Sequence, residues 1–375
     1  MADKYCLVVN PAARRGRNAR LLPQVLGPLA AAGATIRVRE SSSLAHAAEV
    51  AAEAVGLGET VVAVGGDGTV GRLAAAVADA GGVLGIIPAG RGNDFARMLG
   101  IPAQPARAAA VLLAGPRQAV DLIGVRAGNG PELVVAGSVY LGILSEAAQT
   151  AQGSRLTAVG NLGYQVAGLR ALRAWQRTRF TVGTLDGPPA GFGGFCVVVA
   201  NSAYVGAGTA AAPAASLTDG LLDVITVGDG PKLSFVRVML NAARGTHLRL
   251  DQVGAAQAAA VTVTADRAVL AGADGETLPF AAPLAPGSPL SIRVLPGVLQ
   301  VLAPATDGAT APGRGGGVGA NRARGGGAGA RRARGGQLSA GLTGRRPPRK
   351  DSTKSGLDES SAGVPSILTS PPPST

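Results

Sequence analysis

Cysteine, histidine and aromatic residues are scarce in this chain. Its 375 residues include two cysteines, two histidines, one tryptophan, four tyrosines and six phenylalanines. Cys6 and Cys196, without a CxxC spacing, exclude a disulfide-stapled scaffold and a cysteine-ligated zinc site, and suit a reduced cytoplasmic interior. His46, on an expected helix, and His247, in a Gly-Thr-His turn, make no histidine metal centre, and both read as structural. With 3% aromatic against 46% hydrophobic residues, the core must be packed from Ala, Val and Leu. Long apolar helices are also missing. Residues 187–217 carry no charge and are numerous enough to span a bilayer. Pro188, Pro189, Asn201 and Pro213 break that stretch, so it reads as strand, loop and turn. Asp3 and Lys4 precede only a short strand-like run, and no signal peptide is visible.

Acidic residues are outnumbered 23 to 35, a formal net charge of +12. The surplus is uneven. From Thr306 onward there are 11 Lys/Arg and 4 Asp/Glu, leaving 24 basic and 19 acidic residues before it. That Arg/Gly- and Ser/Pro-rich tail cannot bury a core and is expected to be disordered. It could be a solvated linker, an RNA-contacting segment or an electrostatic tether to anionic lipid. The membrane role is preferred, and no specific nucleic-acid target is expected.

The first 125 residues alternate strand and helix at the rhythm of βα units, with strands near 4–9, 35–39, 60–64 and 83–87. Helices are expected near 17–32, 44–55, 70–80 and 105–114. Beyond about residue 120 the pattern becomes short apolar runs at 133–144, 180–185, 195–200, 222–227, 261–264 and 290–294. Only 162–175 and 233–243 look helical there. The expected architecture is a Rossmann-like α/β domain over 1–125 and an antiparallel β-sandwich over 126–305, with the tail at 306–375.

Three strand ends carry the chemistry. Residues 60–71 read TVVAVGGDGTVG, a β-branched run breaking into Gly65, Gly66, Asp67, Gly68 and Thr69. Glycines there let the backbone turn tightly and let an anion approach its N–H groups, at the N-terminus of the helix that follows. Asp67 offers a carboxylate to Mg²⁺ or a hydroxyl, and Thr69 a hydroxyl to a phosphate oxygen. An ordinary glycine-rich βα turn is the plain alternative. A second loop, Pro88-Ala89-Gly90-Arg91-Gly92-Asn93-Asp94, follows the next strand, and Asn10-Pro11-Ala12-Ala13-Arg14-Arg15-Gly16 follows the first. Such loops share the carboxyl edge of one sheet, where open α/β folds bind ligands.

NPAARRG, GGDGTV and PAGRGNDFARMLG, in that order and spacing, resemble the catalytic domain of the diacylglycerol kinase family, which includes bacterial lipid kinases and sphingosine kinases. Downstream, NSAYVGAG at 201–208, DGLLDV at 219–224, Gly245-Thr246-His247 and Asp274-Gly275-Glu276 resemble the second half of the bacterial members. The likeness covers about the first 300 residues. It implies the same two domains, with the active site in the cleft between them and the chain end returning to the first domain near 298–302.

The resemblance implies an ATP- and Mg²⁺-dependent kinase acting on a diacylglycerol-like lipid at the membrane surface. It would be a cytoplasmic protein, peripheral at the inner face of the membrane; a homodimer is left open. Phosphates fall to Gly65, Gly66, Asp67, Gly68 and Thr69, with Asn10, Arg91, Asn93 and one of Ser41 or Ser42. Arg91 stands where the family usually has Thr and can grip phosphate bidentately. Glu276 is the general base that the resemblance implies, with Asp274 or Asp67 assisting through Mg²⁺ or water. Without the family, Asp274-Gly275-Glu276 is a plain hairpin turn. Asp219, with the Ser216 and Leu221 carbonyls, is the implied structural Mg²⁺ position; a plain Asp-Gly turn is the rival, and Asp121 joins the same network. Gly71 and Arg72 replace the family's usual Asn-Glu, removing a ligand to nucleotide or metal. Two other readings stay open: an NAD kinase, which shares GGDGT, and a degenerate nucleotide-binding regulator.

Overall fold

The computed structural model describes residues 3–9, 17–152, 161–185, 187–206, 208–278 and 283–305. The expected tail and Asn10 lie outside them. The first half forms as βα units: β1 (Lys4–Val9), α1 (Arg17–Ala31), β2 (Thr35–Glu40), α2 (Leu44–Gly56), β3 (Thr60–Gly65), α3 (Asp67–Asp79) and β4 (Val83–Pro88). A short α4 (Asp94–Met98) and α5 (Pro105–Ala114) follow. The four strands are parallel in the order β2-β1-β3-β4. Their register pairs Val9 with Glu40 and Val64, and Gly65 with Pro88. All four strands therefore end at one edge, and every loop that the motifs singled out leaves from it. Helices pack on this sheet, and β1, β3 and β4 are accordingly almost continuously apolar and buried, whereas the edge strand β2 is charged and half-exposed.

The second half comprises β5 (Arg117–Ala127), β6 (Leu133–Val135), β7 (Ser138–Gly142), α6 (Ile143–Gln152), α7 (Asn161–Ala174), β8 (Thr178–Thr184) and β9 (Gly187–Ala200). Then come β10 (Leu222–Gly228), α8 (Lys232–Ala242), β11 (Val253–Ala258), β12 (Ala260–Ala265), β13 (Ala271–Ala273), β14 (Glu276–Thr277) and β15 (Leu290–Leu302). Its strand pairs are antiparallel, apart from β15 beside β4. The expected α/β and β-sandwich-like architecture is what the chain adopts. The halves share one sheet through β15, which pairs antiparallel with β5 over its length and parallel with β4 at Gln300 and Val301. The return of the chain end to the first half is thereby observed.

Several elements differ from expectation. The run at 133–144 is not one strand. β6 and β7 are separate, and α6 starts directly after Gly142, whose φ of +90° breaks the strand without any polar turn. The runs at 290–294 and 298–302 are one strand with a bulge between Leu295 and Leu299, where Pro296 and Gly297 interrupt the ladder. Helix α3 begins at Asp67, not at Val70, so the GDGT residues form its first turn. Strands β5 and β11 were not among the expected runs. The first core is aliphatic, with Leu7, Leu73, Leu84, Ile86 and Ile87 fully buried. In the second, Trp175 stacks on Phe195 at 6.5 Å and Phe195 meets Phe235 at 4.9 Å, joining the end of α7 and α8 to β9.

Candidate active site

Two glycine loops meet at the carboxyl edge of the parallel strands. The Ala89 amide donates to the Gly65 carbonyl at 2.8 Å, closing the turn after β4 onto the end of β3. A Cβ on Gly90 would fall 2.3 Å from the Gly66 Cα, and one on Gly66 would fall 2.9 Å from the Gly90 Cα. Backbone lies against backbone here, so neither position has room for a side chain. Thr69, buried on the first turn of α3, lies directly over Gly65, where a Cβ would come within 2.7 Å of its own. Gly66 caps α3 without any side-chain hydrogen bond to its first-turn amides, which leaves the N-terminus of a 13-residue helix suited to an anion.

Asp67 faces the neighbouring loop. One carboxylate oxygen accepts from the Asn93 amide at 2.8 Å; the other accepts from Asp94 at 2.6 Å and from Phe95 at 3.4 Å. It thus caps α4 from outside, where the helix dipole favours negative charge. Asn93, in the left-handed region at φ 52°, closes its own turn. Its Oδ1 accepts from the Gly90 amide at 2.8 Å and its Nδ2 donates to the Gly90 carbonyl at 3.1 Å.

The second half reaches this edge through the β13–β14 hairpin. Ala273 pairs with Glu276, and the two residues between them, Asp274 and Gly275, have φ of 48° and 89°. This is a two-residue turn of the type that Asp-Gly favours. The Asp274 carboxylate accepts from the amides of Ala136 at 3.0 Å, Gly137 at 3.0 Å and Ser138 at 2.9 Å. Gly137 carries no side chain because a Cβ there would sit 2.8 Å from Asp274 Oδ1. Burial pushes the Asp274 carboxyl up to about 6; its three amide donors oppose that shift, and the charge of Asp67 adds to it. The hairpin touches α3 directly: a Cβ on Gly71 would lie 3.1 Å from Asp274 Oδ2. Gly71, one of the residues that depart from the family pattern, is therefore the one against which the Asp274 turn packs. Glu276 opens β14 two residues after Asp274.

A third carboxylate fixes the loop that leads into β10. Asp121, buried on β5, accepts from the Gly220 amide at 2.9 Å and from Gly297, at the β15 bulge, at 2.8 Å. Asp219 is exposed beside it, its Oδ1 accepting from the Leu221 amide at 3.1 Å, while Ser216 Oγ lies 3.4 Å from Thr218 Oγ1. Among the described residues no group of three or more His, Cys, Asp or Glu side chains could hold a metal. An exposed carboxylate on a loop held in place by buried amide contacts fits a hard cation bound mainly by carbonyls. Asn201, fully buried, donates from Nδ2 to the carbonyls of Asp121 at 2.7 Å and Ala136 at 3.1 Å. It thereby joins the Asp121 and Asp274 clusters. His247 is buried with Nε2 2.9 Å from the Ala211 carbonyl, and burial lowers its pKa, in keeping with a structural role.

Of the remaining expected residues, Ser41 is buried at the end of β2 with its hydroxyl 3.4 Å from the Val9 carbonyl. Ser42 is exposed and its hydroxyl lies 3.1 Å from His46 Nδ1. Arg91 is exposed at the tip of the second loop. Sequence reasoning missed the 136–138 amides that hold Asp274, because a run of backbone donors leaves no residue signature. It also missed Arg97, whose guanidinium lies 5.4 Å from the centre of the Tyr204 ring and couples α4 to the 201–209 loop.

Residues 4–125 match the diacylglycerol kinase catalytic domain, and 137–303 match the YegS C-terminal NAD kinase beta sandwich-like domain. The chain is 31% identical over 280 residues to the diacylglycerol kinase of Bacillus subtilis (strain 168), covering 72% of this chain and 88% of that one. It is 31% identical over 258 residues to the diacylglycerol kinase of Mycobacterium tuberculosis (strain H37Rv), covering 66% and 77%. A crystal structure of a diacylglycerol kinase from Bacillus anthracis str. Sterne shares the fold at a TM-score of 0.60 and 20% identity, over 80% of this chain and 97% of that one.

Proposed function

This chain belongs to the diacylglycerol kinase family of lipid kinases, and we propose that it transfers the γ-phosphoryl group of ATP to a hydroxyl of a diacylglycerol-like lipid. The observation that carries this reading is the contact between the Asp274 turn and Gly71. A phosphate-suited helix start from one half and a carboxylate-bearing hairpin from the other share a single edge. Phosphoryl transfer asks for that pair of parts, held phosphates and a base aimed at the attacking hydroxyl.

In this mechanism the amides at Gly66, Gly68 and Thr69 and the α3 dipole hold the phosphates, with Arg91 adding a charged grip. Asp67 and Asn93 keep the two loops pressed together. Asp274 acts as a positioning residue that fixes the hairpin, and Glu276 is the base. The lipid hydroxyl oxygen bonds to the γ-phosphorus as the bond to the β,γ-bridging oxygen breaks, ADP leaves, and the proton passes to the Glu276 carboxylate. Asp219 with the Ser216 and Leu221 carbonyls would hold Mg²⁺, which when bound supplies positive charge that stiffens the loop. No helix among the described residues is long and apolar enough to cross a membrane, and we place the enzyme at the bilayer surface as a peripheral protein.

Radiolabelled ATP, incubated with the purified chain and a panel of diacylglycerol, sphingosine and NAD, tests the proposal. Label is expected in phosphatidic acid, and chelation of Mg²⁺ should abolish it. Label in NAD alone, or none at all, would overturn the reading.

A further inference from the structure

Helix α8 is apolar on two opposite faces. Phe235, Val238 and Ala242 are buried against the second core. Leu233, Val236 and Leu240 recur at i, i+3 and i+7 and, at about 100° per residue, share the opposite side. Leu233 is 80% exposed and Leu240 63%; Met239 and Val236 add 37% and 36% at the border. Large apolar side chains so exposed and so grouped mark an interaction surface.

We infer that this outward face of α8 docks on an anionic lipid bilayer. The choice of occupant rests on the lipid-kinase reading above and on charge. Arg237 falls on the same side of the helix as Leu233 and Leu240, Arg244 follows in the turn just beyond the helix, and both are exposed. Neither forms an ion pair among the described residues. Lys232 stands at the helix start, its ammonium 2.5 Å from the Arg173 carbonyl at the end of α7. From Lys232 to Leu250 there is no acidic residue. A stripe of leucine flanked by arginine is the pattern of a helix lying in the interfacial plane, apolar side chains among the acyl chains and cations among the headgroups. Two other occupants are disfavoured by the same charges. A second copy across a two-fold axis would set Arg237 and Arg244 against themselves. The segment from residue 306 onward carries 11 basic and 4 acidic residues and would be repelled.

The test uses the full chain and vesicles of phosphatidylcholine with or without phosphatidylglycerol, free of substrate and ATP. Cys6 and Cys196 are buried, so an environment-sensitive fluorophore on Leu240→Cys reports this face alone. Leu57→Cys, on the other half and 57% exposed in the native protein, is the control. A blue shift at position 240 on anionic vesicles, absent at 57, is expected. Leu233→Asp/Leu240→Asp should weaken sedimentation with those vesicles by roughly tenfold at about 0.15 M salt. It should leave turnover on a soluble short-chain diacylglycerol within about twofold. No blue shift at 240, unchanged vesicle binding, or a dimer that the double variant splits would each overturn the inference. Loss of docking with turnover intact would leave the kinase reading standing, and docking by a chain without kinase activity would refute only that reading.

Discussion

Asp67 in the α/β half and Asp274 in the β-rich half each place a carboxylate on three consecutive backbone amides of another loop, from backbones of different kinds. Asp67 stands in the first turn of a helix and holds residues 93–95. Asp274 stands in the left-handed region of a two-residue hairpin, is pushed up to about 6 by burial, and holds residues 136–138. Asp121 does similar work for Gly220 and Gly297. Acidic residues that look catalytic in a motif can thus be clamps, each fastening a distant segment. In the mechanism proposed above, the proton acceptor is Glu276.

The comparison can be broken first on the glycine side. Gly90→Ala forces a methyl against the Gly66 backbone and should lower stability by about 3 kcal/mol, read as a shift in denaturant midpoint. An unchanged midpoint would mean that the two loops do not meet as described. On the other side, the raised Asp274 carboxyl has a definite sign. Its folded-state pKa exceeds the unfolded value of 3.8, so its contribution is full at or below about pH 4 and is lost as pH rises through about 6. Relative to Asp274→Asn, which does not titrate, the wild type should lose on the order of 2 kcal/mol across that window. A flat difference would refute the burial argument. The smallest effect belongs to Asp67→Asn. One oxygen remains as an acceptor while the charge on the α4 dipole goes, so thermal unfolding should show a loss of about 1 kcal/mol.

These contrasts follow what could be read from residues alone. The βα units were legible because the periodicity and the glycine breaks at 65–68 and 90–92 are local. GDGT as the first turn of α3 was not, since Gly66 caps the helix without a polar side chain to announce it. α6 stayed hidden because Ile143 and Leu144 continue an apolar run, and the break is only the positive φ of Gly142. The bulged β15 looked like two strands because Pro296 and Gly297 interrupt it, whereas its long pairing with β5 is a matter of register. For the site, Asp67 and Asp274 could be named, but not their partners. The Ala136–Ser138 amides are more than a hundred residues from Asp274, and nothing about Ala-Gly-Ser signals a carboxylate nest. Gly71 read as a loss; in the folded chain it is where the Asp274 carboxylate fits.

The proposal that Glu276 is the base, with Asp67 and Asp274 acting as clamps, is tested most directly by steady-state kinetics of Glu276→Gln beside Asp67→Asn on the accepted lipid. Glutamine keeps the shape and a hydrogen-bonding oxygen of Glu276 but takes no proton at neutral pH. The account predicts that Glu276→Gln lowers kcat by roughly two to four orders of magnitude, with the KM for ATP and the thermal midpoint unchanged. Most of the wild-type kcat surviving in Glu276→Gln, with the large loss falling on Asp67→Asn instead, would contradict it.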